Sequence, residues 1–137
     1  MSFASVNWLA VLACVVFSMV SGSLWFGPKT FFPAWWKAIG KEGQEPKGTP
    51  ITWILLIASS AVQAIVLALV VMGLGRASGG PTLVSGLIAG LVVWAGFVAA
   101  TGLTNKLFAG QLKAWMFEAG NHLVNFAVFG IILGVWH

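Results

Sequence analysis

The chain is 137 residues long, 59% hydrophobic and only 7% charged, with three acids against seven basic side chains and a net charge of +4. Water-soluble chains carry about 25% Asp, Glu, Lys and Arg, so a surface this poor in charge cannot be covered against water and the composition selects the membrane class. A pI near 9.7 does not argue for nucleic acid, because the few basic residues lie between apolar runs without a basic-aromatic stripe.

Four apolar stretches, about 3–26, 51–73, 82–103 and 115–136, each approach the ~20 residues that a helix needs to cross ~30 Å of hydrocarbon. Open strands are excluded at that depth because every backbone N–H and C=O must be paired within its own segment or within a closed barrel. The runs also lack the alternation of a barrel. The expected fold is therefore all-α: one transmembrane domain, residues 1–137, built as an integral membrane four-helix bundle. No Lys or Arg precedes the first stretch, which continues through Trp25 and Phe26, so it reads as a retained span and not as a secretory signal.

The largest connection runs from Gly27 to Pro50. Its first part, about 31–40, mixes Phe31, Phe32, Trp35 and Trp36 with Lys37, which predicts a short helix lying at headgroup level between spans one and two. Its second part, 41–50, is polar and rich in turn formers, and Thr49-Pro50 suits the cap and first turn of span two. The joint 74–81 is short and full of breakers, so spans two and three should be antiparallel neighbours. Residues 104–114 join spans three and four and carry Lys106 and Lys113.

Lys29, Lys37, Lys41, Lys47, Lys106 and Lys113 fall on one side of the bundle and Arg76 alone on the other. Basic residues concentrate in loops that stay cytoplasmic. The expected location is a bacterial inner membrane with both lysine-bearing joints in the cytoplasm and both termini on the periplasmic or exterior side. Trp8, Trp25, Trp53, Trp115 and Trp136 lie near proposed span ends, and Trp25, Trp35, Trp36 and Trp115 are the expected interfacial anchors. Trp94 falls in mid-span and must face protein or lipid.

Helices in lipid associate where small residues let backbones approach. Ala10, Cys14, Ser18 and Gly22 supply such a stripe in span one, Ser60, Ala64 and Ala68 in span two, Gly86 and Gly90 in span three, and Gly130 and Gly134 in span four. Packing within one chain is the favoured use, with homo-oligomer contacts or docking to a larger membrane complex as the alternative. The bilayer itself is the one partner that composition requires. Cys14, the single cysteine, has no intrachain partner.

Span four carries the one polar constellation: Glu118, Asn121, His122 and Asn125, whose steps of three and four put them on one helical face. Counting inward from Trp115 at 1.5 Å per residue places Glu118 about 4.5 Å deep, His122 about 10 Å and Asn125 about 15 Å. Ionisable groups at such depth face a bundle interior or a water cavity and are default candidates for function. The simpler reading is adhesive: Glu118 pairs with His122, Lys106 or Lys113, and the two Asn bond to Ser18, Ser21, Gln63 or backbone. The functional reading is a proton or ion relay through Glu118 and His122.

Two helix-spaced ligands fall short of the three that catalytic zinc generally takes, and His137 lies at the opposite face, so no metal and no cofactor is expected. No phosphate loop, paired carboxylates or nucleophile elbow is present, and the expectation is a protein that is not an enzyme. A structural or accessory subunit is the first expectation for function, and a small proton- or ion-coupled transporter the second.

The run Asn7-Trp8-Leu9-Ala10-Val11-Leu12, then Gly22-Ser23-Leu24-Trp25-Phe26-Gly27-Pro28 followed by Phe32, Trp36 and Lys37, resembles the start of a bacterial membrane family, domain of unknown function 1761. Glu118-Ala119-Gly120-Asn121-His122-Leu123, followed by Gly130-Ile131-Ile132-Leu133-Gly134-Val135-Trp136, is similar to its last helix. The resemblance covers nearly the whole chain and implies a small four-helix membrane protein. It brings no established activity and no catalytic residues.

Overall fold

The structure is a computed structural model and describes residues 2–137. In chain order it contains a 3-10 turn Phe3–Ser5, then α1 (Trp8–Trp25), α2 (Phe32–Ala38), α3 (Pro50–Gly75), a 3-10 turn Arg76–Ser78, α4 (Leu83–Val93), a π-helical segment Trp94–Ala99, α5 (Ala100–Phe108) and α6 (Leu112–Val135). The described residues are all-helical, without a strand. Four units, Trp8–Trp25, Pro50–Ser78, Leu83–Phe108 and Leu112–Val135, are long and apolar enough to cross a bilayer.

Span ends depart from the sequence reading where a cap or a glycine decides them. The first span begins at Trp8 and not near Phe3, because the Asn7 side-chain oxygen accepts from Leu9 N and Ala10 N at 3.1 and 3.2 Å. The third runs to Phe108, past the expected end near 103, since no breaker interrupts it before Gly110, whose φ of 69° a side chain would resist. The fourth starts at Leu112, ahead of Trp115. The expected interfacial helix at 31–40 forms as α2, Phe32–Ala38, with Pro33 in its first turn where the missing N–H costs nothing.

Apart from Gly22, where a Cβ would meet nothing within 4 Å, the small-residue stripes are used inside the chain. A Cβ on Gly86 would stand 2.9 Å from the Gly134 Cα, and one on Gly90 would stand 3.0 Å from the Phe126 carbonyl carbon, so α4 and α6 meet backbone against backbone. Ala10, Cys14 and Ser18 of α1 and Ser60, Ala64 and Ala68 of α3 are likewise buried. Around these seams Leu67, Val71, Phe126, Phe129 and Leu133 form a packed core.

That core occupies the half of the bundle nearest the chain termini. Towards the lysine-bearing joints packing loosens: every residue from Pro50 to Ser59 is exposed, and α1 has no buried residue after Ser18. The two helices are pinned together at a Ser18–Ser60 hydroxyl pair, and between that pair and the joints neither of them has a buried residue. The third span also changes winding in its middle, at the six-residue π segment.

Because a side chain at the α4–α6 seam would overlap backbone that cannot yield, Gly130→Val is expected to lose at least about 2 kcal/mol of stability. Gly96→Ala, whose Cβ meets nothing within 4 Å, should change it by less than about 1 kcal/mol. Reversible unfolding in mixed micelles measures both, and equal losses would show that the seam is not close-packed.

Candidate functional site

Glu118, Asn121, His122 and Asn125 fall on one face of α6, and all four line a single crevice of about 470 Å³. Ser18, Gly22 and Phe26 come from α1, Phe32 and Trp35 from α2, and Trp53, Ser59, Ser60 and Gln63 from α3. The crevice begins at Glu118, near the joints that carry Lys37 and Lys106, and reaches Asn125 about two turns deeper. Beyond Asn125 the packed core begins with Phe126 and Phe129, so the crevice is blind at that end.

Glu118 is fixed at the shallow end. Its Oε1 accepts from Trp35 Nε1 at 3.0 Å and lies 3.2 Å from Lys106 Nζ, with both charged side chains about a quarter exposed. Of the three partners weighed from the sequence, Lys106 is the one that pairs, because α5 continues through it and brings the ammonium beside α6. Lys106 Nζ also donates to Gln111 Oε1 at 3.3 Å, and Gln111 Nε2 reaches the Ile39 carbonyl at 3.5 Å, which ties the joint after α2 to the joint before α6.

Deeper groups are less well paired. Asn121 Nδ2 donates to Ser21 Oγ at 3.1 Å, and Asn125 Nδ2 donates to Asn121 Oδ1 at 3.4 Å. Asn125 Oδ1 and His122 Nδ1 are buried and have no hydrogen-bond partner among the described residues. A buried polar atom without a partner costs about 1–3 kcal/mol, and such atoms in a native fold call for an explanation. An adhesive stripe would satisfy these atoms; here Glu118 and Asn121 are paired, whereas His122 Nδ1 and Asn125 Oδ1 are not.

Tryptophans hold this stretch of α6 in place. Trp25 Nε1 donates to the Phe117 carbonyl, Trp35 Nε1 to the Glu118 carboxylate and Trp94 Nε1 to the Ala119 carbonyl, each at 3.0 Å, so three indoles from three elements grip consecutive residues. Each carbonyl has a second lone pair left for its helical bond. Gly120 makes room for the first of them, since a Cβ there would stand 2.9 Å from Trp25 Cζ2. Trp94 thus faces protein. Trp115 Nε1 donates to the Ala99 carbonyl at the end of the π segment, at 2.9 Å. Trp36 stacks on Phe32 at 5.1 Å, lies under the Lys41 ammonium and donates to the Gln44 carbonyl at 2.8 Å, which fastens the polar loop to α2.

The sequence marks the α6 stripe and, through Ser18 and Gln63 as candidate partners of the two Asn, only part of its opposite wall. Ser59 gave no signal and Gly22 only that of a packing stripe, because which faces of α1 and α3 look at α6 depends on helix rotation. Among the described residues no group of three His, Cys, Asp or Glu side chains comes together.

Replacing Asn125 removes a buried acceptor that nothing satisfies. Asn125→Leu also removes the N–H that Asn121 Oδ1 accepts, so the two effects should offset and micellar stability should change by less than about 1 kcal/mol. A loss above about 2 kcal/mol would show the amide to be adhesive after all.

No curated protein and no solved structure matches the chain. The sequence does match a family model, described as Protein of unknown function (DUF1761), over residues 9–134. This match takes in α2, the whole crevice and the four long helices apart from their end residues Trp8 and Val135, and the chain belongs to that family.

Proposed function

We propose that this is a multi-pass membrane carrier, not an enzyme, which takes its ligand into the blind crevice along α6. One observation carries this: the crevice reaches Asn125, and His122 and Asn125 on its wall keep buried polar atoms without partners among the described residues. A scaffold gains nothing from such atoms, whereas a binding site needs them. In the proton- or ion-coupled form of this reading, Glu118 and His122 are the relay. They stand one helical turn apart on the same wall.

The membrane is a bacterial inner membrane in this proposal, with the lysine-bearing joints in the cytoplasm and both termini outside. Six lysines on one side against Arg76 on the other support that orientation. The crevice then opens on the cytoplasmic half, and its blind end lies near mid-bilayer.

An accessory subunit is the second reading, favoured by the exposed stretch of α3, where Ile51, Ile54 and Leu55 offer an apolar face that no other helix of the chain covers. Extraction from native membranes in mild detergent decides this point, since a chain that always migrates alone has no larger complex to serve.

For the relay, the protein is reconstituted in vesicles holding a pH-sensitive dye and given an acid jump. Equilibration should be faster than in empty vesicles, and Glu118→Gln and His122→Ala should each slow it at least tenfold. Identical rates in the native protein, both variants and empty vesicles would remove the relay. For orientation, Glu45→Cys should resist an impermeant maleimide in intact cells and react once the membrane is opened, while Ala77→Cys reacts at once. Cys14 is buried and contributes no background. The reverse pattern would invert the topology.

A further inference from the structure

We infer that the crevice takes the head of an uncharged, hydroxyl-bearing amphiphile, such as a diacylglycerol, which enters sideways from the lipid between α1 and α3. This rests on the carrier reading above and specifies its ligand.

The entrance follows from packing. α1 and α3 are bonded through Ser18 and Ser60, and between that pair and the joints neither helix buries a residue although both line the crevice, so the wall there is open. Along that gap Pro50–Ser59 is exposed throughout, and a Cβ on Gly22 would meet no atom within 4 Å. The end nearest the joints is crossed by α2, whose Phe32 and Trp35 line the crevice while Trp35 is hydrogen-bonded to Glu118. The open direction is therefore lateral, where α3 presents Ile54 and Leu55 to the surroundings. A ligand arriving that way comes dissolved in hydrocarbon and carries an apolar tail.

The head must be uncharged because the crevice holds no unmatched charge. Its one acid, Glu118, already has the Lys106 ammonium at 3.2 Å and an indole N–H at 3.0 Å. An ionic head brought in from the side would be stripped of water without a counter-ion, which costs several kcal/mol. What the deep end offers is neutral: an amide oxygen on Asn125 in need of a donor, the Ser18–Ser60 hydroxyl pair, and the Gln63 amide. A hydroxyl both donates and accepts, so it answers each of these groups.

Size agrees with a head and the first part of a tail. At ~30 Å³ for each water-sized group, 470 Å³ holds roughly fifteen non-hydrogen atoms. The remaining chain would lie along the exposed face of α3.

The test uses the full chain in phosphatidylcholine vesicles with two photoactivatable probes carrying the same diazirine acyl chain, one on diacylglycerol and one on anionic phosphatidylglycerol. Cross-linked peptides are mapped by mass spectrometry. Label from the diacylglycerol should concentrate on 18–26 and 53–63, compete with unlabelled diacylglycerol, and fall at least tenfold in Gly22→Leu, whose new side chain enters open space. Ser59→Leu narrows the crevice from the other wall and serves if Gly22→Leu does not fold. Crevice label from the anionic probe but not from diacylglycerol would overturn the ligand class and leave the carrier reading standing. Label spread evenly over all lipid-facing helices with both probes, untouched by either variant, would overturn both.

Discussion

The backbone contact between α4 and α6 is the constraint on which the rest of the architecture depends. Gly86 and Gly90 lie against Phe126, Gly130 and Gly134 so closely that no Cβ fits between them. Helices in lipid gain little from hydrophobic sorting, so close backbone approach supplies most of what holds them. This seam fixes the rotation of α6, and with it the direction of every side chain one and two turns earlier. Once Gly130 and Gly134 face α4, the Glu118–Asn125 stripe faces the space between α1 and α3.

The bundle is consequently built in two halves of different character. Near the termini, small residues on all four long helices close the structure around Phe129 and Leu67. Near the lysine-bearing joints, large aromatic side chains take over, and indole N–H groups reach across to α6 and hold its residues 117–119 from several sides. Indoles hold by hydrogen bonds at their tips and leave space beside their rings, whereas glycines hold by contact and leave none. A crevice therefore forms in the second half and not in the first.

Much of this was legible in the sequence, for identifiable reasons. Apolar length places the four spans, the small-residue spacing marks the seams, and residues three and four apart must share a face, which is why Glu118, Asn121, His122 and Asn125 line one wall. Helix ends were read less well, because a single Asn7 cap or a Gly110 turn overrides hydropathy. The far wall of the crevice was legible only in part, through Ser18 and Gln63: Ser59 and Gly22 line it only through the rotation of α3 and α1 about their axes. The sequence leaves Glu118 three partners, His122, Lys106 and Lys113, and the continuation of α5 through Lys106 selects that one.

The π segment at Trp94–Ala99 joins these halves within one span. Gly86, Gly90, Trp94 and Lys106 all meet α6, yet they are spaced in multiples of four residues. At about 100° per residue, twenty residues of straight α-helix would leave Lys106 turned about 200° from Gly86, on the wrong side altogether. One surplus residue in a wide turn returns about 100° of that drift, and helix crossing can absorb the remainder. The winding defect thus acts as a phase corrector. It lets one continuous rod present glycine to its neighbour at one end and an ammonium to the same neighbour at the other.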